Sequence, residues 1–364
     1  MSDDLRDLVP DPLRAIDAYT VPSPAGVDAR AKLDANESPY PLPPEIAEAL
    51  ARELAAVDIH RYPDPACHEL RGLIAPELGV APEQLAFGHG SNELVIQLCL
   101  AFNRPRAGAD RAVVLYPVPS FVYYRSAAIA AGAEPVEVPL GEDFRLDAPA
   151  LAATIEHRRP NIIFFARPNN PTGTLWSRPI VDGIIRDNPG VIVVVDEAYI
   201  EFGGDSFADK LSEYRNMILL RTYSKVGMAG LRLGVLAAHL DLVGEIGKVN
   251  APYNVSALTQ RAAAFLLANH RDVLRARVAE ITAERERVAT ALRGLAGVQV
   301  FDSSANMLLV RLGDAATAWR ELAARGIRVR RFPTHPRLEP YIRVTIGTPA
   351  ENTLFLEALE QILP

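Results

Sequence analysis

The sequence predicts an α/β protein: a mostly parallel sheet covered by helices, followed by a smaller α+β lobe. Three observations carry this. Residues 112–116 (AVVLY), 161–166 (NIIFFA), 191–195 (VIVVV) and 217–220 (MILL) are unbroken apolar runs rich in β-branched residues, the pattern of strands buried on both faces. The stretches between them, such as 147–157 and 178–188, have the spacing of crossover helices. After residue 257 the pattern changes to one long amphipathic stretch, then to short strands and helices. With 364 residues, 49% of them hydrophobic, the chain is long enough to fill two cores.

Taken in order, residues 1–30 hold Pro10, Pro12, Pro22 and Pro24 and little periodicity. They predict an arm lying over another surface, such as a second subunit. Residues 44–56 space apolar side chains three and four apart behind a first-turn proline, which predicts a helix. A second helix over 91–102 follows the glycine-rich entry Gly88-His89-Gly90. The four strands and their crossovers come next. Residues 258–295 run amphipathic without proline and are expected to link the lobes. Beyond them we expect strands at 298–301, 307–310, 327–330 and 341–346, and helices at 315–325 and 349–363. The expected division is an arm (1–30), a large domain (31–257) and a small C-terminal domain (258–364).

Lys plus Arg total 38 and Asp plus Glu 45, a formal charge of −7. That balance gives no bulk attraction to nucleic acid or to an anionic membrane, so any bound anion needs a local cluster of cations. Cys67 and Cys99 form no CxxC pair, and the expected state is two reduced thiols. His60, His68 and His89 do not make a ligand set, and no metal is expected. The acidic start (MSDDLR) lacks the layout of a signal peptide, and no apolar run approaches a membrane span. The expected location is the cytoplasm.

Ligands in α/β sheets collect at the C-terminal ends of strands, so the polar residues after each apolar run matter most. NIIFFA is followed by Arg167-Pro168-Asn169-Asn170-Pro171-Thr172-Gly173. VIVVV is followed by Asp196-Glu197-Ala198-Tyr199, and MILL by Arg221-Thr222-Tyr223-Ser224-Lys225. AVVLY ends in Tyr116 and runs into Pro117-Val118-Pro119-Ser120-Phe121. Four strand ends thus offer an amide, a carboxylate with a phenol, a hydroxyl with a lysine, and an aromatic ring. Together they suit a flat, cationic, phosphorylated heterocycle. Asp196 in particular closes an all-apolar strand, where a carboxylate is costly without a partner.

The ordered set NNPTG, DEAY, SK and GLRLG resembles the fold-type-I pyridoxal-phosphate (PLP) enzymes of the aspartate aminotransferase superfamily. The likeness to the histidinol-phosphate aminotransferase family is closer. It extends to residues 33–37 (LDANE), 61–63 (RYP), 90–93 (GSNE), 305–306 (AN) and 343–347 (RVTIG), and covers nearly the whole chain. It implies a large domain with a mostly parallel seven-stranded sheet sandwiched by helices, plus a small α+β domain.

The resemblance also implies roles. Lys225 is the lysine that links to PLP as a Schiff base and then shuttles a proton. Asp196 pairs with the pyridine nitrogen, while Tyr199 and Asn170 contact the 3′-oxygen. Tyr116 stacks on the ring. Ser91, Asn92, Thr222, Ser224 and Arg232 hold the phosphate, the first two at a helix start where free N–H groups and the helix dipole converge. Lys225 and Arg232 stand seven residues apart here, where many relatives have eight. Tyr62 reaches the phosphate of a neighbouring subunit, which makes the active sites of a homodimer shared. Arg343 and Arg330 grip the acidic group of the substrate, with Arg328 and Arg331 as rivals of the latter. Asn36 and Asn306 contact the substrate, and Tyr19 on the arm lies over it. The activity implied is transamination between L-histidinol phosphate and 2-oxoglutarate. Transamination of aromatic amino acids, or decarboxylation of a phosphorylated amino acid, are the alternatives.

Overall fold

The computed structural model of the protein describes residues 5–18 and 29–363. The chain first lays β1 (Ala31–Leu33) and then builds a seven-stranded sheet. Its strands are β2 (Leu85–His89), β3 (Val113–Val118), β4 (Glu134–Pro139), β5 (Ile162–Ala166), β6 (Ile192–Asp196), β7 (Met217–Thr222) and β8 (Leu233–Ala238). Their spatial order is β2-β8-β7-β6-β5-β3-β4. Strands β3 to β7 pair in parallel, and only β8 runs antiparallel to its neighbours β7 and β2.

Period-two alternation explains the two cores of this sheet. Ile163, Phe165, Val193, Val195 and Leu219 fill one face, while Ile162, Phe164, Val194, Ile218 and Leu220 fill the other. An apolar run of four or five residues therefore buries side chains on both sides at once, as a sheet covered by two helix layers requires. The helices Ala148–Arg158 and Arg178–Asp187 are among these covers. The Asp147 carboxylate caps the former by accepting from the Ala150 N–H at 3.0 Å.

Three strands of this sheet carry weak sequence signals. β4 (EPVEVP) lies at an edge, where proline is tolerated because one side of the ladder is unpaired. β2 and β8 are interrupted by glycine and are rich in small residues. At Gly234 on β8 the small size is essential, because an added Cβ would lie 2.4 Å from the Gly90 carbonyl carbon and 2.5 Å from the Ser91 nitrogen.

The amphipathic stretch after residue 257 is two helices, Ala257–Asn269 and Arg271–Arg293, broken at His270 (φ −136°). The second lies along the small lobe. There β9 (Gln299–Val300), β10 (Met307–Arg311), β11 (Ile327–Arg331) and β12 (Tyr341–Thr345) form a second sheet in the order β1-β11-β12-β10-β9. The boundary expected at residue 31 therefore moves. β1 pairs in parallel with β11, with Leu33 opposite Val329, and residues 31–33 belong to the small sheet. The reason is packing: Ala31 and Leu33 are fully buried in the small-lobe core. The chain thus crosses from one lobe to the other just after β1, and residues 34–36 sit at the junction.

The contact of Gly234 with the Gly90–Ser91 backbone predicts that Gly234→Ala destabilises the fold by about 1–3 kcal/mol, as overpacking against immobile backbone does. Chemical denaturation of the variant and parent measures this. An unchanged midpoint would contradict the close approach.

Candidate active site

The C-terminal ends of β5, β6 and β7 open onto one cavity of about 310 Å³, closed from the far side by the small sheet. Four cations line it, Lys225, Arg232, Arg330 and Arg343, against two carboxylates, Asp34 and Asp196. In a chain of net negative charge, this local excess marks an anion site.

At one end the helix Ser91–Ala101 starts at Gly90 and directs its first turn, with Ser91 and Asn92, into the cavity. Thr222 donates to Ser224 Oγ at 2.9 Å, and Arg232 donates to the same oxygen at 3.2 Å. The seven-residue spacing therefore still delivers the arginine. Gly227 takes φ 104° and Arg232 itself φ 53° to make the short connection. Gly90 holds φ 79°, a left-handed conformation that favours glycine, with the Arg232 guanidinium packed against it.

In the middle, Asp196 ends β6 with 5% of its surface exposed. It accepts from the Tyr124 hydroxyl at 2.7 Å and from the Ala198 N–H at 3.1 Å. Burial pushes its carboxyl above the usual carboxylate range, while the two donors and the Lys225 ammonium pull it back. The next residue, Glu197, shows the effect of alternation. It turns away from the cavity and accepts from Arg221 at 3.0 Å, from the Phe207 N–H at 2.6 Å and from Ser206 at 2.8 Å. One carboxylate of the pair is thus held by structure, and the other faces the cavity. Lys225 Nζ lies 5.6 Å from the Tyr199 ring centroid.

At the far end, Arg330 and Arg343 stand directly opposite in the β11–β12 register, and both line the cavity. Arg343 donates to Asn170 Oδ1 at 2.8 Å and to the Asp34 carbonyl at 2.6 Å. Of the rivals, Arg331 is in an ion pair with Glu339 at 3.5 Å, and neither Arg328 nor Arg331 lines the cavity.

Three expected site residues lie elsewhere. Tyr116 is 2% exposed, its hydroxyl donates to Glu137 at 3.1 Å, and it packs beside Tyr124 beneath the cavity floor. Strand geometry turns it into the helix-covered face of β3. Phe121, in the loop after that strand, does line the cavity, set edge-on against Tyr124. Asn306 is fully buried, its carbonyl accepts from the Ile346 N–H at 2.9 Å, and it is not part of the cavity wall. Tyr62 is 80% exposed, stacks on Tyr253 at 4.4 Å, and is outside its own subunit's cavity. Asn36 lines the cavity, but its amide is engaged with Tyr199 and Thr345. Tyr19 lies outside the described residues. Sequence reasoning named Phe121 at this strand end but gave the ring-stacking role to Tyr116, and it missed Tyr123, Tyr124 and Phe332, all cavity-lining. The one available signal was the aromatic cluster at 121–124 after the β3 run.

The donor set fits PLP. A buried carboxylate held above its usual range suits a cationic ring nitrogen. A helix N-terminus, two hydroxyls and a guanidinium suit a phosphate, and Lys225 lies between. Among the described residues no group of His, Cys, Asp and Glu is placed to hold a metal, and no helix is long and apolar enough to cross a membrane.

Comparison with known proteins agrees with this geometry. Residues 30–359 match the family model for aminotransferase class I and II. The chain belongs to that family, and it is a PLP-dependent aminotransferase of fold type I. Within the family it is 44% identical, over 96% of both chains, to the histidinol-phosphate aminotransferase of Paracidovorax citrulli. The solved histidinol-phosphate aminotransferase of Sinorhizobium meliloti, in complex with pyridoxal-5′-phosphate, superposes with a TM-score of 0.81 at 26% identity, covering 92% of this chain and 91% of that one. The L-threonine-O-3-phosphate decarboxylase of Porphyromonas gingivalis gives 0.76 at 26% identity, covering 90% and 98%.

The burial of Asp196 yields a prediction for the cofactor-free protein. Its folded-state pKa is raised, so the native state holds a proton that the unfolded chain releases near pH 4, and stability falls as pH rises from there to the folded value. Asp196→Asn keeps an acceptor for Ala198 and a partner for Tyr124 while removing the charge. We expect the variant to be more stable than the parent at neutral pH and equal to it in acid. Urea denaturation across pH tests this, and a pH-independent difference would contradict it.

Proposed function

We propose that this aminotransferase moves the amino group of L-histidinol phosphate to 2-oxoglutarate, giving imidazole acetol phosphate and L-glutamate in L-histidine biosynthesis. The observation that carries the reading is the pair Arg330 and Arg343, opposed in register at the cavity end away from Arg232. Histidinol phosphate has no carboxylate, so its phosphate is the only anion to grip, while glutamate offers carboxylates alone. A planar guanidinium binds either anion through paired N–H donors, and a second one beside it favours the dianion. The 44% identity to the Paracidovorax citrulli enzyme supports the same substrate.

Bound PLP supplies an electron sink for charge developing at the substrate α-carbon. Lys225 Nζ would be the group that takes the proton from the substrate α-carbon and hands it back. Asp196 would keep the ring nitrogen protonated. Tyr199 and Asn170 would contact the 3′-oxygen, Phe121 would lie against the ring, and Ser91, Asn92, Thr222, Ser224 and Arg232 would hold the phosphate. Tyr62 serves the site of a second subunit in a homodimer. Its exposure beside Tyr253, with Ile59 77% exposed nearby in sequence, suits a subunit contact. A cytoplasmic location goes with this biosynthetic role.

Single-turnover measurement of each half-reaction tests the substrate. Arg343→Ala should damage both by about 2–4 kcal/mol of lost charge-assisted hydrogen bonding. Arg330→Ala should weaken histidinol phosphate more than glutamate. Equal losses in Arg330→Ala, or a parent enzyme that prefers phenylalanine, would move the reading to aromatic amino acids. Release of carbon dioxide from a phosphorylated amino acid would move it to decarboxylation.

The shared site has its own test. Mixing Lys225→Ala subunits with Tyr62→Phe subunits should restore part of the activity, because one site of each hybrid is intact. Hybrids that form without recovery would place Tyr62 in its own subunit's site.

A further inference from the structure

We propose that Asn36 is a positioning residue: it aims the Tyr199 hydroxyl proton into the cofactor cavity and ties that aim to the lobe that carries Arg330 and Arg343. The inference rests on the reading of Tyr199 as a contact of the cofactor 3′-oxygen.

The Asn36 backbone N–H donates to Thr345 Oγ1 at 2.9 Å, and a backbone N–H has no other role. The Thr345 hydroxyl therefore accepts there and gives its own proton to Asn36 Oδ1, also at 2.9 Å. With Oδ1 fixed, the other arm of the amide is the NH₂ group. It lies 2.9 Å from the Tyr199 oxygen and 3.0 Å from the Met307 sulfur, and both accept. The Tyr199 oxygen is thus occupied as an acceptor on its small-lobe side, and its proton points away from Asn36, where the cavity lies. A hydroxyl that accepts one hydrogen bond is a stronger donor in the next.

The backbone at this point supports the assignment. Asn36 is 2% exposed and holds φ 54°, a left-handed conformation that asparagine takes more readily than most residues. It follows β1, which the small sheet holds through β11, and Thr345 ends β12 of the same sheet. The substrate lobe therefore touches both residues expected at the 3′-oxygen. It reaches Tyr199 through Asn36, and Asn170 through Arg343 at 2.8 Å. Tyr199 belongs to the loop after β6 in the large sheet, yet its ring packs in the small-lobe core. A shift of the small lobe on binding substrate would reach the cofactor oxygen through the Asn36–Tyr199 bond.

The test titrates the visible absorbance of the PLP-loaded enzyme against pH in four proteins: parent, Tyr199→Phe, Asn36→Gly and the double variant. Glycine suits the left-handed backbone, so only the amide is lost. Removing a donor leaves more negative charge on the 3′-oxygen and holds the neighbouring proton more tightly. Tyr199→Phe should therefore raise the apparent pKa of the chromophore. Asn36→Gly should raise it by about 0.3–1 unit, and the double variant should rise no further than Tyr199→Phe alone. Thr345→Val, which frees the amide to turn without removing it, should shift in the same direction by less, and stands in if Asn36→Gly does not fold. A shift in Tyr199→Phe with none in Asn36→Gly or Thr345→Val overturns this inference alone. Additive shifts overturn it too, since the amide would then act by another route. No shift in Tyr199→Phe overturns the cofactor reading of Tyr199 beneath it.

Discussion

Asp196 closes β6 with its carboxylate buried, and the neighbouring structure is arranged around the cost of keeping it there. A lone carboxylate in an apolar interior takes up a proton or finds partners. Here Tyr124 and the Ala198 N–H supply two hydrogen bonds, one to each oxygen. Tyr124 is itself fully buried, stacked on Phe164 at 4.6 Å and set edge-on to Phe121, so the donor is held rigidly. These bonds lower the cost without cancelling it, and the carboxyl stays above its ordinary range. A cation arriving in the cavity completes the set. In the proposed function the ring nitrogen of PLP is that cation.

Alternation along β6 divides the work between adjacent carboxylates. Glu197 is as deeply buried as Asp196, but it is neutralised from within the protein by Arg221 and by the loop at 206–207. Arg167, at the end of β5, is likewise buried and spent on structure: it donates to the Trp176 carbonyl at 2.8 Å and pairs with Asp205 at 2.5 Å. A buried charge is thus no marker of function by its type. What marks Asp196 is that its partners are neutral.

The cavity has two sources. The large sheet provides Asp196, Lys225 and the phosphate end, all from strand termini that alternation and parallel pairing bring to one edge. The small sheet provides Arg330 and Arg343, side by side only because β11 and β12 run antiparallel in that register. The bonds from Arg343 to Asn170 and from Asn36 to Tyr199 join the two sources at the heart of the site. In the proposed function, substrate anion and cofactor would therefore be held by one connected network rather than by two separate lobes.

The sequence by itself determined the parts that depend on local pattern. Unbroken apolar runs gave the central strands to within a residue or two, because they are short and rich in β-branched residues, which favours strands over buried helix. The polar residues at their ends followed, so Lys225, Asp196, Tyr199 and Asn170 were legible, as were Ser91 and Asn92 from the helix start after Gly90, and all line the cavity. Edge and glycine-bearing strands were not, since β4, β2 and β8 owe their state to neighbours rather than to their own composition. Only the tertiary structure decided which face a side chain took. Tyr116 and Phe121 are both aromatic and five residues apart, but the pleat of β3 sends the first into the core. The same holds for Arg328, Arg330 and Arg331, which composition cannot rank and the β11–β12 register does. It also decided that β1 joins the small sheet, because a three-residue strand has too little pattern to name its partner. That pairing places Asn36 against Thr345 and Tyr199, residues more than 160 positions away along the chain, a distance over which no periodicity can speak.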